Sequence, residues 1–272
     1  MLATSANRVL RRVAVVLGIS RADRALLNIL QPLLDKETET NLQGVFIEDN
    51  ELQQVANLPF VKELCRLTLS VREIHSTQFE RTVAVRTRSA RRAITSLALS
   101  TGLPHSFQTV KGSTVNLLRE TAHSADITIF EPLRIFAAPA IALPAPAPRS
   151  LQRIVVAVND FSMGAETLAA ANFLAGGKMR RLHLLLTATT SAELDALNRM
   201  IEEHFPDDPA RIQLIPGAEI QKLIATANSE RADMLVLGAS EDLLKPESLQ
   251  TLLKQLRCPI CLVRRWPGTG AG

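Results

Sequence analysis

Two stretches of the chain resemble each other, and this internal repeat constrains the fold more than any other feature. The stretch GSTVNLLRETAHSADITIFEP (residues 112–132) aligns with GAEIQKLIATANSERADMLVLGA (residues 217–239). In each copy a glycine precedes a helical pattern, and an Ala-Asp pair leads into an apolar run. Because the repeat occurs only twice, it predicts a duplicated domain, since a solenoid needs more copies to bury a continuous core.

Short apolar runs alternate with amphipathic stretches along the chain. RRVAVVLGIS, from residue 11, and RIVVAVNDFS, from residue 153, are typical of strands buried on both faces. Helical spacing is found near residues 21–34, 79–99, 112–126, 164–174, 192–205, 218–229 and 246–256. This alternation predicts a Rossmann-like α/β fold, a parallel sheet with helices on both faces.

An Ala/Pro-rich segment, residues 137–150, divides the chain and is interpreted as a linker. We therefore expect a first domain over residues 1–148 and a second over 149–272 with a short disordered tail. The stretch ELQQVANLPFVKELCRL in the first domain is predicted to be a helical insertion, broken at Leu58-Pro59. Few residues separate Glu131 from the linker, so the first domain is expected to be curtailed in its C-terminal part.

The composition indicates the cellular compartment of the protein and disfavours some classes of function. The formal net charge is +4, and aromatic residues make up only 4%, with no Tyr, which makes nucleic-acid binding an unlikely main activity. Three cysteines do not form a disulfide framework and favour a reducing compartment. Neither the apolar run after the first arginines nor the Ala/Pro segment is long enough to span a bilayer. We interpret the former as a buried strand rather than a signal peptide, and expect a cytoplasmic protein.

Three motifs carry a resemblance to a known family. They are VAVNDFS (156–162), the block with Ala-Asp leading into LVLG, and the closing CPICLVR (258–264). Together they resemble the universal stress protein family in its tandem form, strongly from Arg153 to Arg265 and more weakly from Arg11 to Glu131. The insertion in the first domain is similar to that of some bacterial tandem members. The resemblance implies two domains of the family's fold, each a five-stranded parallel sheet sandwiched by helices, and a homodimer through the last strand.

The ATP-binding motifs of that family are degenerate here. Members that bind ATP have an acidic residue after the first strand and a G-x2-G-x9-G-(S/T) segment after the fourth, because glycine lets backbone N–H groups reach phosphate oxygens. Leu17 and Asn159 stand at the acidic positions of the two domains. In the second domain Gly238 keeps the first glycine and Glu241 replaces the second, whereas the first domain has Glu131 and no glycine.

The resemblance therefore implies a vestigial nucleotide cleft in the second domain, formed by Asn159, Ser162, Gly238 and Ser240. Glu241 and Asp242 would repel a triphosphate, and Lys245 offsets only part of this repulsion. Pro246 is predicted at the first position of a helix, where the Glu247 carboxylate would take the place of a phosphate. We expect weak or absent ATP binding and no bound cofactor.

Two cysteines and the histidines are the candidate reactive side chains. Cys258 and Cys261 have the spacing of a redox or metal pair, but they open a strand rather than a helix and lack a second ligand pair, which favours buried packing and no metal. The histidines are scattered and form no nucleophile motif. Asn159 and Asp160 could be a catalytic pair, although a strand-end turn is the preferred interpretation. No catalytic residue is therefore predicted.

A run of arginines lies on the long predicted helix: Arg81, Arg86, Arg88, Arg91 and Arg92. This run could dock an acidic partner or nucleic acid, and the simpler interpretation is a solvated helix face.

These observations predict a non-catalytic protein of stress-response type that acts through contacts with an unidentified protein partner. The alternative is a nucleotide- or nucleoside-binding sensor that uses the cleft of the second domain. An enzyme is not expected, because no catalytic group is assembled in the sequence.

Overall fold

A computed structural model gives the arrangement of most of the chain. The residues described are 11–18, 26–27, 30, 34, 40–56, 58, 62–64, 71–73, 76–132, 151–158, 161–187, 190–204, 211–215 and 219–265. The predicted linker, the C-terminal tail, Asn159, Asp160 and Cys65 lie outside these residues.

Nine of the described strands form one sheet, in the spatial order β5-β2-β1-β6-β11-β10-β7-β8-β9. Their bounds are β1 Arg11–Leu17, β2 Thr40–Asp49, β5 His105–Gly112, β6 Ile127–Phe130, β7 Ile154–Val158, β8 Leu182–Leu186, β9 Arg211–Leu214, β10 Met234–Gly238 and β11 Ile260–Val263. A separate antiparallel pair consists of β3, Lys62–Leu64, and β4, Val71–Glu73.

The described helices longer than one turn are α1 Asn50–Ala56, α2 Ser76–Thr101, α3 Thr114–Ser124, α4 Gly164–Ala175, α5 Ser191–His204, α6 Ile220–Ser229 and α7 Pro246–Gln255. Two buried apolar clusters line the two faces of the sheet, and each draws residues from both halves of the chain. The predicted α/β fold, a mostly parallel sheet flanked by helices, is confirmed. None of the described helices has the length and apolarity needed to cross a membrane.

The sheet consists of two parallel blocks joined at one antiparallel contact. Block 1 contains β5, β2, β1 and β6, and block 2 contains β11, β10, β7, β8 and β9. Strand β6 runs antiparallel to β11, with Ile127 opposite Val263 and Phe130 opposite Ile260. Because β11 also pairs with β10, both of its edges are occupied within the chain. The homodimer expected through the last strand therefore has no free edge on which to form.

The Ala-Asp pairs of the sequence repeat fasten the first strand of each block to the fourth. In block 1 the Asp126 carboxylate accepts a hydrogen bond from the Arg12 N–H at 2.8 Å, and the Asp126 N–H donates to the Arg12 carbonyl. In block 2 the Asp233 carboxylate accepts from the N–H groups of Gln152 and Arg153, at 2.9 and 3.0 Å. The repeat in the sequence thus encodes the same clamp twice.

The insertion departs from the prediction. Residues 51–67 were expected to be helical, but α1 ends at Ala56 and residues Lys62–Leu64 form a strand. The three-residue strands β3 and β4 are too short to show the alternation by which a strand is recognised. The long helix matches its prediction more closely, since α2 covers the predicted range and stops before Gly102, whose φ of +70° suits glycine.

Candidate functional site

Three of the four predicted cleft residues lie in described parts of block 2. Ser162 is exposed, in a single 3-10 turn, Phe161–Met163, that precedes α4. Gly238 is the last residue of β10, and Ser240, two residues further along the chain, is a buried polar residue. Because Asn159 lies outside the described residues, its role stays a prediction.

The space beside Gly238 is filled by the protein itself. A Cβ built on Gly238 would lie 3.0 Å from the Met163 Cβ and 3.1 Å from the Thr167 Oγ1. Gly238 is therefore required for the close packing of β10 against the start of α4, a contact in which Met163 and Thr167 meet the strand. A phosphate approaching this glycine from the side of its missing Cβ would have to displace both side chains.

The backbone donors of the loop after β10 are largely consumed inside the fold. The Ala239 N–H donates to the Val263 carbonyl at 2.8 Å, and the Ser240 N–H donates to the Gly238 carbonyl at 2.9 Å. The Leu244 N–H donates to the Ser240 carbonyl at 3.0 Å, and the Ser240 hydroxyl accepts from the Leu243 N–H at 3.4 Å. An anion site needs N–H groups that converge on the ligand and are free to bind it.

The charges of the loop disfavour an anion. The side chains of Glu241 and Asp242 are 81% and 87% exposed, so both carboxylates face the solvent from which a phosphate would arrive. The Lys245 ammonium lies 2.5 Å from the Asp242 carboxylate, and this hydrogen bond raises the pKa of Lys245. Lys245 thus offsets the charge of Asp242 and leaves that of Glu241, so these three side chains carry a net charge of −1 (two carboxylates against one ammonium).

Helix α7 begins as the sequence predicts. Pro246 occupies the first turn, and Lys245 is the residue before the helix, with extended backbone angles. Glu247 lies in the same turn and is exposed. The position of its carboxylate fits a favourable interaction with the helix N-terminus, while its replacement of a phosphate stays a prediction.

In block 1 the corresponding loop starts with different residues. Asp126 and Asp233 align the two blocks, so Glu131 stands where block 2 has Gly238, and Pro132 stands for Ala239. Proline has no N–H to donate, so this loop lacks the bond that Ala239 makes. At the end of β1, Leu17 is buried, as a strand residue rather than a ligand-facing acid.

A cleft of about 200 Å³ in block 1 was not found from the sequence. Its walls come from β2, α1, α2 and β5: Glu48, Asp49, Gln53, Phe79, Glu80, Val83, Ala84 and Lys111. The paired acids Glu48-Asp49 directly after an apolar run were the signal that could have indicated it.

The polar groups of this cleft satisfy one another. One Asp49 carboxylate oxygen accepts from the Glu51 N–H at 2.8 Å, and the other accepts from the Thr114 hydroxyl at 2.6 Å. The Lys111 ammonium lies 3.4 Å from the Glu48 carboxylate. These contacts fasten α1 and α3 to the ends of β2 and β5, and they give the cleft a structural explanation without a ligand.

The cysteines of block 2 are buried at and before β11. Burial raises the pKa of the Cys261 thiol to about 12, so the thiolate that redox or metal chemistry requires is disfavoured. Cys258 is also buried. Among the residues described, no group of three or more His, Cys, Asp or Glu side chains is placed to hold a metal ion.

Known structures share the fold at low sequence identity. A putative universal stress protein from Pseudomonas aeruginosa UCBPP-PA14 matches with a TM-score of 0.52 and 12% identity, over 94% of each chain. A universal stress protein from Archaeoglobus fulgidus DSM 4304 matches with a TM-score of 0.48 and 12% identity, over 93% of this chain and 97% of that one. No family sequence profile and no curated protein sequence matches the chain. The chain therefore has a fold like that of a universal stress protein, and this similarity shows the fold alone.

Proposed function

We propose that this chain is a tandem universal-stress-like protein, in which two copies of the fold form a pseudo-dimer within one polypeptide. The protein acts in the cytoplasm, in the stress response, by contact with a protein partner and without catalysing a reaction. It binds ATP weakly or not at all.

The arrangement of the blocks supports the tandem interpretation. Each block places its strands in the same order, the third beside the second, the second beside the first, and the first beside the fourth. The Asp126 and Asp233 clamps occur at equivalent positions. Block 1 has no fifth strand beside β6, since β11 of block 2 occupies that edge. One closing strand thus serves both copies.

The observation that carries the proposal is the filled space at Gly238. Met163 and Thr167 occupy the side from which a phosphate would reach the glycine, and the loop uses its own N–H groups. The lack of ATP binding would then result from packing as well as from the replacement of motif residues by Asn159 and Glu241.

The test is to denature freshly purified full-length protein, assay the supernatant for nucleotide, and titrate ATP by calorimetry. We expect no bound nucleotide and no measurable heat of binding. The informative variant is Glu241→Gly, which restores the first spacing of the motif, G-x2-G, while Thr251 still stands at the third glycine. Glu202→Gly on the exposed face of α5 is a control for loss of charge. Both variants should still fail to bind ATP.

Stoichiometric release of a nucleotide or nucleoside would overturn the proposal and establish the sensor in its place. Tight ATP binding by Glu241→Gly alone would show that Met163 and Thr167 do not block the site, and that charge and the missing glycine did.

A further inference from the structure

We propose that the outer edge of β5 and the exposed arginines of α2 form one docking surface for an extended, acidic polypeptide segment that adds to the sheet as a further strand. This inference rests on the proposed function, because it names the class of partner through which a non-catalytic protein would act.

The net positive charge of the chain equals that of one helix. Helix α2 contains five arginines and one glutamate, a net charge of +4, which equals the formal net charge of the entire protein. The remaining sequence is therefore neutral as a whole. Within the described residues, none of these five arginines forms an ion pair.

Three of the arginines form a stripe that faces away from the core. Arg81, Arg88 and Arg92 lie within about 40° of one another around the helix, and are separated by about 10 and 6 Å along its axis. All three are exposed, and the buried face of the helix, Val83, Ala90, Ile94 and Ala98, lies on the other side.

A fourth arginine connects the helix with the edge strand. The Arg91 guanidinium lies 5.1 Å from the centre of the Phe107 ring on β5. Arg91 therefore borders β5, and it lies about 60° around the helix from Arg88 of the stripe, so it links the stripe to the edge strand. The stacked guanidinium also covers Phe107, which would otherwise be the aromatic residue of this surface available to a nucleic-acid base.

Strand β5 is an open edge of the sheet. It pairs with β2 alone among the described strands, and most of its residues are exposed. The Leu42 N–H donates to the Pro104 carbonyl at 3.0 Å, so Pro104 faces β2. Because strand residues alternate in direction, residues 105, 107, 109 and 111 direct their backbone groups outward.

The middle of this edge lacks the usual protection against strand addition. Proteins commonly guard an edge with charged residues or proline, yet no formally charged residue lies between Pro104 and Lys111. The opposite edge, β9, is half as long, with four residues against eight, and its Arg211 already pairs with Glu230.

The surface selects one kind of partner. Backbone donors and acceptors along an edge can pair with a polypeptide strand but not with a nucleic-acid backbone. Acidic side chains on one face of an added strand would recur every ~7 Å, close to the ~6 Å rise between Arg88 and Arg92. A second copy of this chain would bring two such arginine faces together, which like charges oppose.

The experiment measures binding of the full-length protein to labelled peptides of about ten residues by fluorescence anisotropy. The probe alternates Glu and Thr, and a second peptide alternates Glu and Pro, which keeps the charge but cannot pair as a strand. A double-stranded DNA oligonucleotide is the third probe. We expect salt-sensitive binding of the Glu-Thr peptide, with the Glu-Pro peptide and the DNA at least about tenfold weaker.

Two variants dissect the surface. Arg88→Glu with Arg92→Glu should weaken binding of the Glu-Thr peptide at least about tenfold, while the control Arg180→Glu with Arg199→Glu, two exposed arginines of block 2, should leave it unchanged. Thr109→Pro removes an outward N–H without breaking a bond to β2, and should weaken binding to a similar extent. Circular dichroism checks its folding, and the peptide pair and the charge variant test the proposal if it does not fold.

The proposal is overturned if the Glu-Thr peptide does not bind, or if the Glu-Pro peptide binds equally well, since the surface would then attract any polyanion. Tighter, arginine-dependent binding of the DNA would assign the surface to nucleic acid instead. None of these results bears on the nucleotide assay, so the two proposals fail independently.

Discussion

Block 1 and block 2 have the same strand order and differ in the strand that lies beside the fourth. Each places its first strand between its second and fourth, and each fastens the first strand with an aspartate before the fourth. Block 2 adds β11 beside its own fourth strand, whereas β6 of block 1 receives that same strand from the other side. The difference shows how the two blocks form one sheet, because β11 pairs with the fourth strand of each.

The second difference between the blocks is the residue at the end of the fourth strand. In block 2 the glycine after the fourth strand makes room for the side chains of α4, and in block 1 the same position is Glu131. Among the described residues, neither block presents backbone N–H groups that converge on a triphosphate, and the reason differs between the two blocks. Similar strand order therefore does not imply a similar site.

The largest effect is expected where the two blocks share a strand. Leu262 on β11 is 1% exposed, while Ile212 on the edge strand β9 is 46% exposed. Leu262→Asp would bury a charge between the blocks and should cost at least about 4 kcal/mol or prevent folding. Ile212→Asp places the same charge at an edge and should cost under about 1 kcal/mol. Urea denaturation measures both, and equal losses would show that β11 is not central to stability.

The two aspartate clamps should differ in strength. Asp126→Ala leaves the Arg12 N–H unpaired. It also removes the carboxylate near the buried Arg11, whose pKa is lowered by burial, an effect that this carboxylate partly opposes. We expect a loss of about 2–3 kcal/mol. Asp233→Ala frees the N–H groups of exposed residues that water can reach, and should cost about 1 kcal/mol. Thermal and urea unfolding of each variant and of the double variant provide the comparison. If Asp233→Ala is the more damaging, burial does not set the strength of the clamp.

A smaller difference in the free energy of unfolding is expected between alanine variants of the two strand-end glycines, Gly238 and Gly18. Gly238→Ala must push Met163 and Thr167 apart and should cost about 1–3 kcal/mol in the protein without ligand. Gly18→Ala, after β1 in block 1, meets no atom within 4 Å and should change stability by less than about 0.5 kcal/mol. A neutral Gly238→Ala would mean that the space beside this glycine is available after all.

The sequence predicted much of this arrangement, and the parts it missed have physical reasons. The order of strands and helices follows from local apolar periodicity, and the Ala-Asp repeat marked the clamps. The antiparallel pairing of β6 with β11 joins segments far apart in the chain, and no local pattern states which edge a strand will meet. Nor does a glycine in a sequence reveal whether it makes room for a ligand or, as Gly238 does, for Met163.

The smallest effect concerns a residue pair at equivalent positions of the two blocks. His183 on β8 lies beside Val155, and the matching position on β2 is Gln43, beside Ala14. His183 is buried, and desolvation lowers its pKa, an effect that Glu230, 3.7 Å away, partly opposes. The folded protein thus holds this imidazole neutral at a pH where the unfolded chain already protonates it. The stability that this provides is present above pH ~6.5 and is lost as the pH falls through the lower pKa of the folded state.

His183→Gln copies the residue of block 1 and removes that titration. The melting temperature of the natural protein should therefore fall more steeply than that of the variant as the pH is lowered from 7.5 to 5. His105→Gln, on the exposed edge strand β5, is the matched control for the replacement of an imidazole by an amide. If the variant and the natural protein lose stability in parallel, the acid sensitivity lies elsewhere in the fold, and the two blocks are equivalent at this position.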